Sequence, residues 1–125
     1  MSFNPIMQYK QQSVSTMSRG EQLVALFDEA LKNIRYGAVL LKGKNWDAAL
    51  KCTEKSRNIF SYLSSVLDGK YRISADLYQM YYFFNQEIIR AEVRRDPAAL
   101  EELLPLVEDL RNTWAQADKQ NHTVK

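Results

Sequence analysis

The sequence predicts an all-α fold: an antiparallel four-helix bundle with a short N-terminal helical segment packing as a cap. Three observations carry that expectation. Apolar residues recur at helical spacing in four stretches of about 20 residues. No stretch shows the alternation with period two that a half-buried strand needs. The breaks between the stretches are short and built from Gly, Asn, Asp and Pro. Helices about 30 Å long, joined by connections that short, pack as antiparallel neighbours. Residues 1–17 are assigned to the cap, 18–117 to the bundle and 118–125 to a polar, disordered tail.

The first helix starts at Ser18-Arg19-Gly20-Glu21, which has the spacing of a capping box, with serine and glutamate exchanging bonds across three residues. Leu23, Phe27, Ala30, Ile34, Ala38 and Leu41 follow at helical spacing, so this helix spans about residues 19–42 and stops in the KGKN turn. Asn45 is placed to cap the second helix, with Asp47 near its positive end. Its stripe reads Ala49, Cys52, Ser56, Ile59, Leu63 and Val66, and Asp68-Gly69 ends it. Ser74 is expected to cap the third helix, which runs to about Arg95. Asp96-Pro97 restarts the chain, a capping carboxylate before a proline at the first helical position. The fourth helix carries Leu100, Leu103, Leu104, Val107, Leu110, Trp114 and Ala117. Pro105 lies two turns inside it, where one backbone bond is lost and a kink in a continuous element is expected.

The front end has a different character. Asn4-Pro5 can open a single helical turn that sets Ile6 and Tyr9 on one side. One turn is unstable alone because nucleation is costly, so these residues need the bundle surface to be ordered.

Composition excludes several function classes. With 17 basic and 15 acidic side chains in 125 residues, the net charge of +2 supplies no field for nucleic acid or anionic membrane. No apolar run approaches the ~18 residues of a membrane span. The N-terminus MSFNPIMQYK lacks the layout of a signal peptide. The lone Cys52 permits no internal disulfide and reads as a buried thiol in a reducing compartment, so a cytoplasmic location is expected. His122 is the only histidine and falls in the expected tail, which leaves no base for a nucleophilic relay and no Glu-x-x-His pair for a di-iron bundle. The acid pairs Asp28-Glu29, Glu101-Glu102 and Glu108-Asp109 sit beside apolar stripes, where a solvated face explains them. A non-enzyme with no metal and no cofactor is expected.

What needs explaining is DLYQMYYFFNQEII, which holds Tyr78, Tyr81, Tyr82, Phe83 and Phe84 within seven positions. On a helical wheel Leu77, Met80, Tyr81, Phe84, Ile88 and Ala91 fill one arc roughly 100° wide. Tyr78, Tyr82, Ile89 and Val93 form a second stripe, and Phe83 stands outside both. A bundle helix touches two neighbours, so the second stripe reads either as core or as a tyrosine-edged groove for an apolar helix. Spacing leaves the two readings open.

Beyond these patterns, the spacing of NPIMQYK and SVSTMSRGEQLVALFDEA resembles the start of the flagellar export chaperone family FliS. VLDG before the third helix, ISADLYQMYYFF within it and LVEDLRNTW near the end continue the resemblance across residues 4–117. Glu29 stands where the family often has glycine, Tyr82-Phe83-Phe84 replaces a more usual Tyr-Met pattern, and Pro105 is another departure.

The resemblance implies a cytosolic chaperone that binds the disordered C-terminal segment of flagellin, prevents premature polymerisation and keeps the subunit competent for flagellar type III secretion. It implies the flagellar export apparatus, and other flagellar assembly regulators, as further partners. The residues expected to meet flagellin are Tyr78, Tyr82 and Ile89, with Leu26 and Phe27 of the first helix. Ile6 and Tyr9 match a segment that covers client surface in unbound relatives, as a displaceable lid or as a permanent end-cap. A generic helical adaptor or homodimerisation module is the competing class.

Overall fold

The computed structural model describes residues 17–124, with side chains to residue 120. They form four helices: α1 (Arg19–Lys42), α2 (Trp46–Ser65), α3 (Arg72–Arg94) and α4 (Pro97–Val124). The capping box at Ser18 is present in both directions, Glu21 N–H donating to Ser18 Oγ at 3.1 Å and Ser18 N–H to Glu21 Oε1 at 2.9 Å. Asp96 Oδ1 accepts the Ala98 amide at 3.0 Å, as the restart before Pro97 requires. α4 passes through Pro105 as one element and continues to Val124, beyond residue 118 where a polar tail is expected from sequence. The cap expected over residues 1–17, with Ile6 and Tyr9, lies outside the described residues apart from Met17.

The connections differ from the expected ones in detail. Gly43 has φ −82°, and the left-handed residue that turns the chain into α2 is Lys44, at φ 60°. Asn45 occupies the N-cap position of α2 without a side-chain bond to it. α2 ends at Ser65, three residues ahead of Asp68-Gly69. Ser74 does not cap α3. It sits inside the first turn, where its hydroxyl donates to the Asp68 carbonyl while Asp68 Oδ1 accepts the Lys70 amide at 3.0 Å. The Asp68 carbonyl accepts the Tyr71 amide at 3.2 Å as well as the Ser74 hydroxyl, which ties the start of α3 to the turn before it. At the other end Arg95, at φ 52°, carries its guanidinium 4.6 Å from the centre of the Trp46 ring, fastening the α3–α4 turn to the start of α2.

Polar pairs fix the antiparallel arrangement. From α1 to α4, Asp28 pairs with Arg111, Arg35 with Glu108 and Lys42 with Glu101, so one series rises as the other falls. Asp28, Arg35 and Lys42 are seven residues apart, the flanking positions of a coiled-coil seam. These ion pairs account for a member of each acid pair that the sequence shows. From α2 to α3, Glu92 Oε2 accepts from Arg57 Nε at 2.8 Å and from the Thr53 hydroxyl at 2.6 Å, and Asn85 donates to Ser61 Oγ at 3.2 Å.

Burial is unevenly shared. α1 buries nine residues, among them Phe27, Ile34 and Ala38, because it packs closely on both α2 and α4. At Gly37 an added Cβ would lie 3.0 Å from Thr53 Cγ2 and 3.4 Å from Leu100 Cδ1, so glycine is what lets all three helices approach. α3 buries only six and meets α4 most sparingly of all the adjacent pairs. One sequence expectation is rotated by a residue: Thr53 is buried on α2 and Cys52 is only half-buried. The buried Thr53 hydroxyl has two acceptors within reach, Glu92 Oε2 at 2.6 Å and the Leu50 carbonyl at 3.1 Å.

Candidate protein-docking surface

On α3 the buried set is Ser74, Leu77, Tyr81, Phe84, Ile88 and Ala91. From Leu77 onward the steps are 4-3-4-3, the narrow seam of a coiled coil. A seam this narrow leaves whatever lies beside it in solvent. The rings run from interior to surface: Phe27 to Tyr81 (centroids 6.2 Å apart), Tyr81 to Phe60 (6.3 Å), Phe60 to Phe84 (5.1 Å) and Phe84 to Phe83 (6.2 Å). Phe83, the last of them, is 45% exposed. The aromatic cluster therefore divides, with Tyr81 and Phe84 belonging to the core and Tyr78, Tyr82 and Phe83 to the surface.

Tyr78, Tyr82 and Ile89 lie on the flank of α3 from which Asn85 and Glu92 reach α2, and they are 54%, 58% and 40% exposed. Val93 continues the stripe and is also exposed. The Tyr82 hydroxyl accepts from Gln86 Nε2 at 2.7 Å, which holds the ring along its own helix. Tyr78 also edges a shallow depression with Leu67 and Tyr71 beside the α2–α3 turn.

Sequence reasoning missed the opposite flank. Met80, assigned to the core arc, is exposed instead, and with Phe83 it lines a groove of about 580 Å³ between α3 and α4. Leu106 and Leu110 form the facing wall, and Asp76 and Asp109 stand one on each side. Among the described residues no ion pair crosses from α3 to α4. This seam is held by its apolar contacts and by the two-residue turn at Arg95-Asp96. The available signal was Phe83 itself, a large ring that fits neither stripe of the wheel.

The two α1 candidates go the other way. Phe27 is fully enclosed against Tyr81 and offers no surface to a partner. Leu26 is buried as well, but an edge of it floors a second groove, of about 410 Å³, between α1 and α2. Arg19, Leu23, Tyr62 and Val66 complete that groove, close to where the chain enters at Met17 and Ser18.

Burial pushes the Tyr81 phenol above its ordinary value, with the nearby Trp114 side chain acting in the opposite sense. The phenol is therefore neutral and acts as a packed ring. The Trp114 indole N–H is buried and reaches no acceptor in hydrogen-bonding geometry. Among the described residues no three His, Cys, Asp or Glu side chains group as metal ligands, and no helix is long and apolar enough to cross a membrane. His122 is in the last turn of α4, beyond the described side chains.

A family model described as flagellar protein FliS matches residues 2–121 of the chain. The chain belongs to the FliS family. It is 30% identical over 114 residues to the flagellar secretion chaperone FliS of Bacillus subtilis (strain 168), an alignment that covers 91% of this chain and 86% of that protein. In this FliS-family chain the exposed rings of α3 and the two grooves are thus carried by a four-helix bundle in which α3 packs most sparingly on its neighbours.

Proposed function

We propose that this chain is a cytosolic flagellar secretion chaperone whose client is the disordered C-terminal segment of flagellin. The observation that carries the reading is α3, which buries a narrow seam and leaves apolar side chains open along both flanks: Tyr78, Tyr82 and Ile89 toward α2, Met80 and Phe83 toward α4. An amphipathic client helix laid in the α3/α4 groove covers Met80, Phe83 and Leu106, and the rest of the segment reaches the tyrosine stripe. Each ring so covered contributes roughly 1.5–3 kcal/mol before the cost of ordering the client, which lowers the net affinity and keeps the complex reversible. Masking the segment would hold flagellin unpolymerised until the export apparatus takes it.

Mixing the full chain with the flagellin C-terminal segment is expected to give a one-to-one complex by size-exclusion mass measurement, with a gain in helicity and a negative heat-capacity change. A stable homodimer whose mass the segment does not alter would favour the adaptor reading instead.

We also propose that residues 1–17, with Ile6 and Tyr9, act as a displaceable lid. Support comes from the α1/α2 groove, where Leu23, Leu26, Tyr62 and Val66 lie beside Arg19 and Gln22, next to the point where that segment joins the bundle. Deleting residues 1–17 is expected to tighten flagellin binding, because the lid no longer competes. Unchanged or weakened binding, measured by calorimetry, would mean a permanent end-cap.

A further inference from the structure

We propose that the α3/α4 groove selects a client helix carrying lysine or arginine beside its apolar anchors, and that Asp76 and Asp109 are the specificity-determining residues. This rests on the client reading above and names a property of the client which that reading leaves open.

The charges of the bundle are arranged so that most acids at helix interfaces meet a base of the same chain. Along α1/α4, Asp28, Glu108 and Glu101 each have a cationic partner. Along α2/α3, Glu92 is held by Arg57. On α3 itself Glu87 pairs with Arg90. The α3/α4 groove departs from that pattern. Asp76 stands on one wall and Asp109 on the other, and neither forms an ion pair among the described residues. No lysine or arginine lines the groove. In a chain with a net charge of +2, this apolar trough is edged by uncompensated negative charge.

A helix resting its apolar stripe on Met80, Phe83 and Leu106 presents the positions on either side of that stripe to the two walls. This is the geometry by which flanking residues of a coiled coil choose partners. Lysine or arginine there would lay its methylene stem along the apolar edge and bring its charge to the carboxylate. An arginine could also sit over the exposed Phe83 ring. Acidic residues at the same positions would meet like charge on both walls, so the groove discriminates by repulsion as well as attraction. Rim charges of this kind act more on encounter rate and partner choice than on the stability of the complex.

The test uses the full chain and the flagellin C-terminal segment in two forms, natural and with every Lys and Arg replaced by Gln. Asp76→Asn with Asp109→Asn is expected to weaken binding of the natural segment about fivefold at low salt. The deficit should shrink toward nothing near ~0.5 M salt, where charges are screened within a few ångströms. Binding of the Gln-substituted segment should be the same for parent and double variant. Both aspartates are exposed, so the melting temperature of the double variant should match the parent. Equal affinity of parent and double variant for the natural segment at low salt, with binding itself intact, would overturn the proposal and leave the client reading standing. No binding of the natural segment by the parent chain would overturn the client reading, and the proposal with it.

Discussion

Replacing Phe60 by alanine is expected to cost about 3–5 kcal/mol of folding stability, the largest loss of any single truncation in the bundle. Phe60 is fully enclosed and is the ring through which α2 meets both Tyr81 and Phe84. Polar bridges, namely Arg57 to Glu92 and Asn85 to Ser61, flank it along the α2–α3 interface. Removing the ring takes a packed neighbour from both Tyr81 and Phe84 and leaves a cavity in the core. Domains of this size are stable by roughly 5–15 kcal/mol, so the variant should lose a large part of its margin. Urea unfolding followed by circular dichroism measures the change directly. Phe83→Ala serves as the contrast. Its ring is almost half in solvent already, and its removal should cost at most about 1 kcal/mol. Similar losses for the two variants would contradict the division of the aromatic cluster into core and surface.

The four helices and their order are legible in the sequence because each has a seam of apolar residues at helical spacing and three of the breaks carry strong turn chemistry. What was not legible depended on pairing between distant residues. Thr53 rather than Cys52 faces the interior, and its hydroxyl has as acceptors Glu92, thirty-nine residues on, and the Leu50 carbonyl of its own helix. Ser74 reads as a cap, yet α3 already begins at Arg72 and the Ser74 hydroxyl donates back to the Asp68 carbonyl. Met80 falls within the apolar arc of a wheel drawn for α3 alone, yet the arc is wider than the seam that α1, α2 and α4 close upon. A wheel gives direction and cannot give how closely a neighbouring helix approaches. Phe27 lies in the apolar stripe that the pattern gave α1 and is enclosed as a stripe residue should be. Leu106, whose place opposite Phe83 depends on the short turn at Arg95-Asp96, falls under the same limit as Met80.

Phe83→Glu is expected to weaken binding of the flagellin segment by about 30-fold or more while leaving the melting temperature near that of the parent chain. The ring lines the α3/α4 groove, tilted against Phe84 at 6.2 Å between centroids, with Leu106 on the α4 side of the trough. A carboxylate there would be desolvated beneath an apolar client stripe with no cation of this chain lining the groove. It would also add a third negative charge between Asp76 and Asp109. Tyr82→Glu is expected to act in the same direction through a different part of the client, since Tyr82 lies on the α2-facing flank and holds only Gln86. Because the two residues are separated by the width of α3, their effects should be close to additive if one segment spans both flanks. Fluorescence anisotropy of a labelled segment against the parent, the two single variants and the double variant decides among three outcomes. Loss in both singles places the client across α3. Loss in Tyr82→Glu alone confines it to the tyrosine stripe and removes the α3/α4 groove from the site. Full binding by all three variants would mean that the exposed rings of α3 serve something other than flagellin.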